Sequence, residues 1–244
     1  MNAYQGKTAV ITGGSTGMGF ATAKLFADGG ARVIITGRSQ SRLDAALAQL
    51  GEDALAVRGD VALLSDLDAL AAQVPGPVDA LFVNAGMART APFTSVTEEQ
   101  FDADFAVNVK GAYFTVQKLA PLLRSGAGVV LTTSTANVMG LPETSVYSAG
   151  KAALRSMART LAAELLPRGI RVNALSPGPI DTEILEAGMS AEEAAQFKAA
   201  RAAANPMKRL GTPEEIARAV AFLAFDATFT TGIELVVDGG DTQL

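Results

Sequence analysis

The stretch KTAVITGGSTGMGFATAKLFADGG, residues 7–30, decides the fold of this 244-residue chain. It begins with an apolar run at 8–11, which predicts a buried strand, and continues into apolar residues at helical spacing. Between the two, Gly13, Gly17 and Gly19 let the backbone turn sharply and come close to a ligand. The amides at the start of the helix would then form an anion site suited to a pyrophosphate. A tight strand-to-helix connection is the alternative explanation of these glycines.

The rest of the chain alternates strand-like and helix-like segments. We predict strands at 8–12, 32–36, 54–59, 80–83, 128–133, 171–175 and 234–237. We predict helices at 17–28, 41–50, 65–73, 98–123, 147–166 and 212–225. Such alternation favours βαβ units. It therefore predicts one α/β domain over residues 1–244, a Rossmann-type doubly wound fold with a seven-stranded parallel sheet and helices on both faces.

Tyr147 and Lys151 carry the first indication of chemistry. They are four residues apart in a predicted helix, so they lie on one helical face, and Ser134 is thirteen residues upstream. A neighbouring ammonium favours the phenolate and lowers the tyrosine pKa from about 10, at about 1.4 kcal/mol per unit. The pattern predicts a phenol that acts as a proton donor. An ordinary amphipathic surface helix is the alternative, because YxxxK is a common spacing.

Together these motifs resemble those of the short-chain dehydrogenase/reductase family over nearly the whole chain. Thr12-Gly13-xxx-Gly17-x-Gly19 matches the family's cofactor motif, and Asn84-Ala85-Gly86 matches the NAG that follows the fourth strand. Pro177-Gly178 and the VDGG at 237–240 are further family marks. The catalytic tetrad falls, in order and spacing, on Asn108, Ser134, Tyr147 and Lys151.

The resemblance implies an oxidoreductase that interconverts ketones and secondary alcohols, similar to bacterial NADP-dependent alcohol dehydrogenases and ketoreductases. Tyr147 is implied to donate the proton, and Ser134 to hold and polarise the carbonyl oxygen. Lys151 is implied to lower the Tyr147 pKa and to bind the nicotinamide ribose. The backbone at Asn108 is implied to help hold a water that links the lysine to solvent. Bonding of the Asn108 side chain to backbone at a helix kink is the alternative.

The cofactor-binding residues that the resemblance implies follow several of the predicted strands. They are Gly13, Ser15, Thr16, Gly17, Met18, Gly19, Arg38, Ser39, Asp60, Val61, Asn84, Ala85, Gly86, Tyr147, Lys151, Pro177, Gly178, Ile180 and Thr182. Asp60 and Val61 are implied to contact the adenine, and Ile180 and Thr182 the nicotinamide carboxamide. A helix N-cap is the alternative role for Asp60 and for Thr182.

Gly37 and Arg38 predict which cofactor is used. In NAD-binding relatives an acidic residue ends the second strand and binds the adenine ribose. Gly37 takes that position here and Arg38 follows, and a guanidinium binds a 2′-phosphate in a bidentate way. Ser15 and Ser39 are candidates for further hydroxyl donors. The sequence thus favours NADP(H) over NAD(H), with a solvated Arg38 as the alternative.

Composition excludes several other functions. The chain contains no Cys and no His, so neither a Ser-His-Asp triad nor the usual catalytic zinc site can form, and we predict no metal in the active site. The formal charge of −5 argues against a nucleic-acid partner. Residues 1–10 lack the pattern of a signal peptide, and no apolar run approaches the roughly eighteen residues of a membrane span. We therefore expect no membrane partner and a cytoplasmic location.

Substrate and assembly are predicted by analogy with the family. An alanine-rich segment between prolines implies a substrate lid at about 182–206. The residues expected to line the pocket are mostly small or apolar: Met87, Ala88, Ala136, Asn137 and 141–145. They predict a small, uncharged and fairly hydrophobic ketone or secondary alcohol. The family also implies a homotetramer, formed through the helices at 98–123 and 147–166, although apolar residues there equally suit the core.

Two alternatives to an alcohol dehydrogenase stay open. A 3-oxoacyl-carrier-protein reductase needs a basic docking surface near the site, for which Arg124, Arg155 and Arg168 are the candidates. A non-catalytic dinucleotide-binding sensor belongs to a different class, and the intact tetrad argues against it.

Overall fold

The structure, a computed structural model, describes residues 2–183 and 189–244. Its seven strands form one parallel sheet in the order β3-β2-β1-β4-β5-β6-β7. The strands are β1 Thr8–Thr12, β2 Arg32–Gly37, β3 Leu55–Arg58, β4 Val78–Val83, β5 Leu123–Thr132, β6 Arg171–Pro177 and β7 Glu234–Val237. The predicted fold class is confirmed.

Helices connect the strands. They are α1 Gly17–Asp28, α2 Gln40–Leu50, α3 Leu64–Gln73, α4 Glu98–Phe105, α5 Ala112–Leu119, α6 Ser145–Leu165, α7 Ala191–Ala204 and α8 Pro213–Ala221. In the part of the chain that the structure describes, no helix is long and apolar enough to cross a membrane. Residues 184–188 of the predicted lid lie outside the described residues, and α7 begins after a capping box made by Ser190 and Glu193.

Alternate residues of the central strands face opposite sides of the sheet and build two separate cores. Ile11 and Ile35 face α1 and α8, where they pack in one cluster with Phe26. Val10 and Ile34 face the other side and pack with residues of α5 and α6. Burial on both faces explains why these strands are almost continuously apolar.

The predicted helix at 98–123 is wrong as a single helix. It is divided into α4, a π-helical turn at Ala106–Gly111, α5 and a 3₁₀ turn at Ala120–Leu122. Pro121 lacks an amide proton, which ends the α-helical bonding near α5's last turn, and β5 then begins five residues earlier than predicted. The predicted helix at 212–225 likewise ends early, at Ala221, and continues as a π-helical turn at Phe222–Asp226.

The order of the strands reverses beside β1, and this reversal positions the site. The chain proceeds from β1 to β3 on one side and from β4 to β7 on the other. The connections after β1 and β4 therefore leave the sheet in opposite directions and open a crevice at its carboxyl edge, where open α/β sheets bind ligands.

Candidate active site

The glycine-rich turn after β1 is shaped by close backbone contacts. A Cβ atom on Gly19 would lie 2.1 Å from the Gly13 carbonyl oxygen, and one on Gly13 would lie 3.0 Å from Ala85 Cα. Gly13 and Gly17 have φ values of +64° and +53°, in the left-handed region that favours glycine. The turn therefore packs directly against the segment that follows β4, and a larger residue would separate the two.

Asn84 and Thr12 hold the ends of β1 and β4 together. The amides of Asn84 and Ala85 donate to Thr12 Oγ1 at 3.0 and 3.1 Å. Asn84 Nδ2 donates to the carbonyl oxygens of Thr12 and Gly13, both at 3.2 Å. Asn84 Oδ1 is buried and has no hydrogen-bond partner within the described ranges. One predicted cofactor residue thus has an acceptor available at the base of the crevice.

A cleft of about 700 Å³ runs along the carboxyl edge of the sheet from this turn. Nine predicted cofactor residues line it: Gly13, Ser15, Thr16, Arg38, Ser39, Asp60, Val61, Ala85 and Gly86. Thr182 also lies close by, because its Cγ2 would be 3.4 Å from a Cβ atom on Gly17. This cleft fits a dinucleotide with its pyrophosphate over the start of α1. The cleft is large enough, the glycines of its turn place no side chain in the way, and Asn84 Oδ1 is a free acceptor.

Other predicted cofactor residues have mainly structural contacts. Met18 packs against the core and its carbonyl accepts from Thr22. Gly178 follows β6, where a Cβ atom would lie 2.7 Å from Asp238 Cα. Ile180 is buried and forms an isolated bridge with Gly211. Gly178 and Ile180 thus pack beyond the end of β6, whereas Met18 packs at the start of α1.

The far end of the cleft is basic. Arg38 is exposed, and its guanidinium has no ion pair or hydrogen bond to any other described residue. Arg42, in the first turn of α2, also lines the cleft, with its Nη1 3.2 Å from Glu183 Oε2. A Cβ atom on Gly37 would lie 3.2 Å from Ser15 Oγ. Arg42 was not among the residues predicted from the sequence, where its only signal was its place one helical turn after Arg38.

Asp60 is not a helix N-cap. Its Oδ1 accepts from the Ala62 amide at 3.0 Å, while α3 begins later, after Leu63. The Asp66 side chain in turn accepts from the Asp60 amide at 2.8 Å. Asp60 therefore forms a local turn at the cleft wall. Thr182 is not the N-cap of α7 either, since Ser190 has that role.

Lys151 and Tyr147 lie side by side at the near end of the cleft. Lys151 is only 4% exposed, which the surface-helix alternative does not explain. Its Nζ donates to the Thr132 carbonyl oxygen at 2.8 Å and lies 5.7 Å from the centre of the Tyr147 ring. A Cβ atom on Gly86 would lie 3.5 Å from Lys151 Nζ and 3.0 Å from Asn108 Oδ1, so Gly86 packs closely against both residues.

Burial controls the protonation of both groups. It lowers the pKa of Lys151 to about 8. It raises the pKa of Tyr147, and hydrogen bonding with Ser134 opposes that rise only in part. The expected net lowering of the Tyr147 pKa is therefore wrong for this structure. The physical reason is that burial of the Tyr147 side chain, even though partial, disfavours the charged phenolate.

Ser134 and Asn108 complete the tetrad. Ser134 is half-buried, and its Oγ accepts from the Ala136 amide at 3.2 Å. The neighbouring Thr133 hydroxyl is fully buried and donates to Leu175 O at 2.9 Å, so it is committed to the sheet. Asn108 lies in the π-helical turn, and its side chain both accepts from and donates to the backbone of Met87, at 3.0 Å each. The alternative role for Asn108, bonding to backbone at an irregular helix, is thus present.

The three arginines considered for carrier-protein docking are engaged elsewhere. Arg124 is 3.4 Å from Asp79, and Arg168 donates to Ala120 O and Leu123 O; both lie near the amino edge of the sheet, opposite the site. Arg155 donates to Gly232 O and is 3.2 Å from Glu234. The proposed basic surface at the site mouth is therefore not formed by these residues.

The substrate side is more polar than the sequence suggested. Asn137 donates to Glu234, Ala136 is buried, and neither residue lines the cofactor cleft. Arg89, three residues after Gly86, lines the cleft and was missed. Its ion-pair partner is Asp104 of α4, at 3.7 Å. The periodicity of α4 gave no sign that this helix turns a carboxylate inwards.

Comparison with known proteins agrees with this geometry. Residues 13–242 match the model of a family described as "Enoyl-(Acyl carrier protein) reductase". The chain is 46% identical to the oxidoreductase asL5 of Sarocladium schorii, over 98% of this chain and 97% of that protein. It is 37% identical to an L-rhamnose 1-dehydrogenase (NAD(P)(+)) of a Sphingomonas species, over 98% of each.

A solved structure described as a short chain dehydrogenase/reductase family protein superimposes with a TM-score of 0.88. It shares 41% identity over 99% of this chain and 100% of that chain. Matches of this extent cover the glycine-rich turn, the strand-order reversal and the tetrad together. The chain belongs to the short-chain dehydrogenase/reductase family of oxidoreductases.

Proposed function

We propose that this protein is an NADP(H)-dependent oxidoreductase that interconverts ketones and secondary alcohols. The observation that carries the proposal is the buried Lys151 beside Tyr147 and Ser134, at the end of a cleft that fits a dinucleotide. In the reducing direction the carbonyl carbon gains a hydride and its oxygen gains a proton. The nicotinamide, when bound, is the source of that hydride, and the reverse reaction returns it.

The chain's own residues handle the proton. The Tyr147 hydroxyl donates its proton to the substrate oxygen, and the Ser134 hydroxyl donates a hydrogen bond to the same oxygen. As the phenolate forms, the buried ammonium of Lys151, 5.7 Å from the centre of the Tyr147 ring, stabilises it. A lysine pKa of about 8 keeps most of this ammonium charged at neutral pH.

The preference for NADP(H) is supported by the basic end of the cleft. Arg38 and Arg42 lie where the adenosine of a dinucleotide would end, and no carboxylate follows β2. Guanidinium groups bind phosphate in a bidentate way, whereas a carboxylate at position 37 would repel it. Ser15 and Ser39 line the same end and would add hydroxyl donors.

The substrate we propose is a small, uncharged carbonyl compound or alcohol, covered by the lid at about 182–206. A homotetramer and a cytoplasmic location stay predictions. Activity as a 3-oxoacyl-carrier-protein reductase is disfavoured because the three candidate docking arginines bind elsewhere. A non-catalytic sensor is disfavoured because the tetrad is complete.

The test is oxidation of NADPH and of NADH, followed by the absorbance of the reduced nicotinamide, with simple ketones and a 3-oxoacyl thioester. We expect turnover of the ketones with NADPH. Tyr147→Phe should abolish that turnover and leave NADPH binding nearly unchanged, while Tyr113→Phe, a matched change at an exposed tyrosine, should do neither. Turnover confined to the thioester would favour the reductase, and unchanged turnover by Tyr147→Phe would remove this residue as the acid.

A further inference from the structure

A second, smaller cavity lies beside the tetrad and has no part in the chemistry described above. Its volume is about 250 Å³, it is open to solvent on one side, and it is lined by the loop after β4, by α4 and by the loop that leads into α6. Ala88 and Arg89 line this cavity and the cofactor cleft alike. Val146, the residue before Tyr147, lines it from the other side. The cavity is thus a side chamber next to the reacting groups.

Several polar side chains line this side chamber. Its hydrogen-bonding side chains are Arg89, Thr90, Gln100, Asp104, Glu143 and Ser145. Asp104 is only 5% exposed, and its Oδ1 has no hydrogen-bond donor among the residues described. Arg89 Nη1 is 3.7 Å from that oxygen, too far for a hydrogen bond. A buried carboxylate oxygen without a hydrogen-bond donor is energetically costly. The side chamber therefore has an acceptor that a donor on a bound molecule would satisfy.

The side chamber is already formed in this structure. The Ala91 amide donates to the Glu143 carbonyl oxygen at 2.9 Å, which joins the loop after β4 to the loop before α6. Glu143 itself has a φ of +64°, an uncommon conformation for a residue with a side chain. Such strained positions persist where the surroundings hold them and are frequent at ligand sites.

We infer that the side chamber is a substrate subsite that takes a neutral, hydroxyl-bearing group, as a polyol or an aldose would provide. A hydroxyl can donate to Asp104 and accept from Arg89 or Gln100, so it satisfies both the acceptor and the donors that line the chamber. An alkyl group would leave Asp104 without a donor. An anionic group would meet two carboxylates, Asp104 and Glu143, against one guanidinium.

This inference rests on the proposed function and narrows it. The substrate's reacting carbon would lie at Tyr147 and Ser134, and neighbouring carbons bearing hydroxyls would extend into the chamber. The small volume suits one or two hydroxylated carbons, because pockets for drug-sized ligands are larger, at roughly 300–1,000 Å³. On this inference the substrate is hydroxylated, whereas the sequence favoured a fairly hydrophobic ketone or secondary alcohol.

The test compares two substrate classes of equal carbon number: hexitols and aldohexoses against hexan-2-ol and cyclohexanol, with NADP⁺. We expect wild type to favour the hydroxylated class. In Asp104→Asn the ratio of kcat/KM between the two classes should fall about 5- to 10-fold, mainly through KM, because the substrate hydroxyl then donates to a neutral amide oxygen and no longer to a charged carboxylate. Asp102→Asn, an exposed carboxylate on the same helix, should leave the ratio unchanged.

Several outcomes would overturn the inference. One is a wild type that oxidises hexan-2-ol but no hydroxylated compound. Another is an equal loss for both classes in Asp104→Asn, which is what a purely structural ion pair with Arg89 predicts. If Asp104→Asn does not fold, Arg89→Gln, at a half-exposed position, should produce the same fall in the ratio, and an unchanged ratio would refute the subsite.

If no alcohol or ketone is turned over, the proposed function fails but the subsite can still be judged. Saturation-transfer NMR with a hexitol should then show transfer from wild type and from Asp102→Asn, and markedly weaker transfer from Asp104→Asn. Absence of transfer from wild type would overturn the subsite as well.

Discussion

Replacing Lys151 by methionine should make this protein more stable and inactive at once. Lys151 is buried, and burial lowers its pKa from 10.5 to about 8. The difference is about 2.5 units, and at about 1.4 kcal/mol per unit the folded state gives up roughly 3.4 kcal/mol to keep the ammonium charged. Methionine is of similar length, adapts to irregular packing and carries no charge.

Part of that gain is lost with the hydrogen bond to Thr132 O. Leaving a buried carbonyl without its donor costs about 1–3 kcal/mol, so we take about 1.5 kcal/mol. The net expectation at pH 7 is that Lys151→Met is about 2 kcal/mol more stable than wild type, or about 4–8 °C in Tm for a chain of this size.

The sign of the pH dependence separates this explanation from general repacking. Because the folded pKa lies below the unfolded one, the unfolded state binds the extra proton between pH 8 and 10.5. Wild type should therefore gain stability relative to Lys151→Met across that window. The full penalty is present below pH 8 and is gone above 10.5.

The measurement is urea unfolding of wild type, Lys151→Met and the exposed control Lys110→Met, each at pH 7 and pH 10. The advantage of Lys151→Met should shrink markedly at the higher pH, and Lys110→Met should follow wild type at both. A Lys151→Met protein that unfolds more easily than wild type at pH 7, or a gap that does not change with pH, would refute the reasoning.

Two further predictions concern the cofactor cleft. Gly19→Ala should abolish dinucleotide binding and lower Tm, because its Cβ atom would lie 2.1 Å from the Gly13 carbonyl oxygen. The matched control is Gly140→Ala, because there is open space at the Cβ position of Gly140. Tight NADPH binding by Gly19→Ala in a titration would contradict the packing described. Arg38→Asp should shift the ratio of kcat/KM for NADPH over NADH towards NADH by at least tenfold, through loss of a charge-assisted phosphate contact. The control Arg32→Asp, at the amino-terminal end of β2, should leave this ratio unchanged. If Arg38→Asp leaves the ratio unchanged as well, Arg38 is only a surface charge.

Much of the fold could be predicted because its signals are local. The bounds of β1, α1 and β7 agree with the sequence prediction, since an apolar run, glycines at fixed spacing and helical periodicity all lie within a few residues of each other. The interrupted helix after β4 could not be predicted in the same way. Its π-helical turn depends on contacts of Asn108 with Met87, which is 21 residues away along the chain.

Side-chain chemistry shows the same division. Spacing alone placed Tyr147 and Lys151 on one face of α6. The lowered pKa of Lys151 and the raised pKa of Tyr147 depend instead on burial. That burial arises only when β5 and the loop after β4 pack against this helix. Arg89 and Asp104 are fifteen residues apart, in segments with no motif, and their meeting in a polar chamber was not visible in the sequence.

By itself the sequence determined the Rossmann-type fold, the glycine cradle, the order of the tetrad and the absence of an acidic residue after β2. The tertiary structure decided which of these groups are buried, which arginines face the cleft, and where a second polar chamber lies. The physical reason is that backbone preferences and helical spacing act between neighbours in the chain. Desolvation and charge pairing instead depend on distances between segments that only the folded sheet brings together.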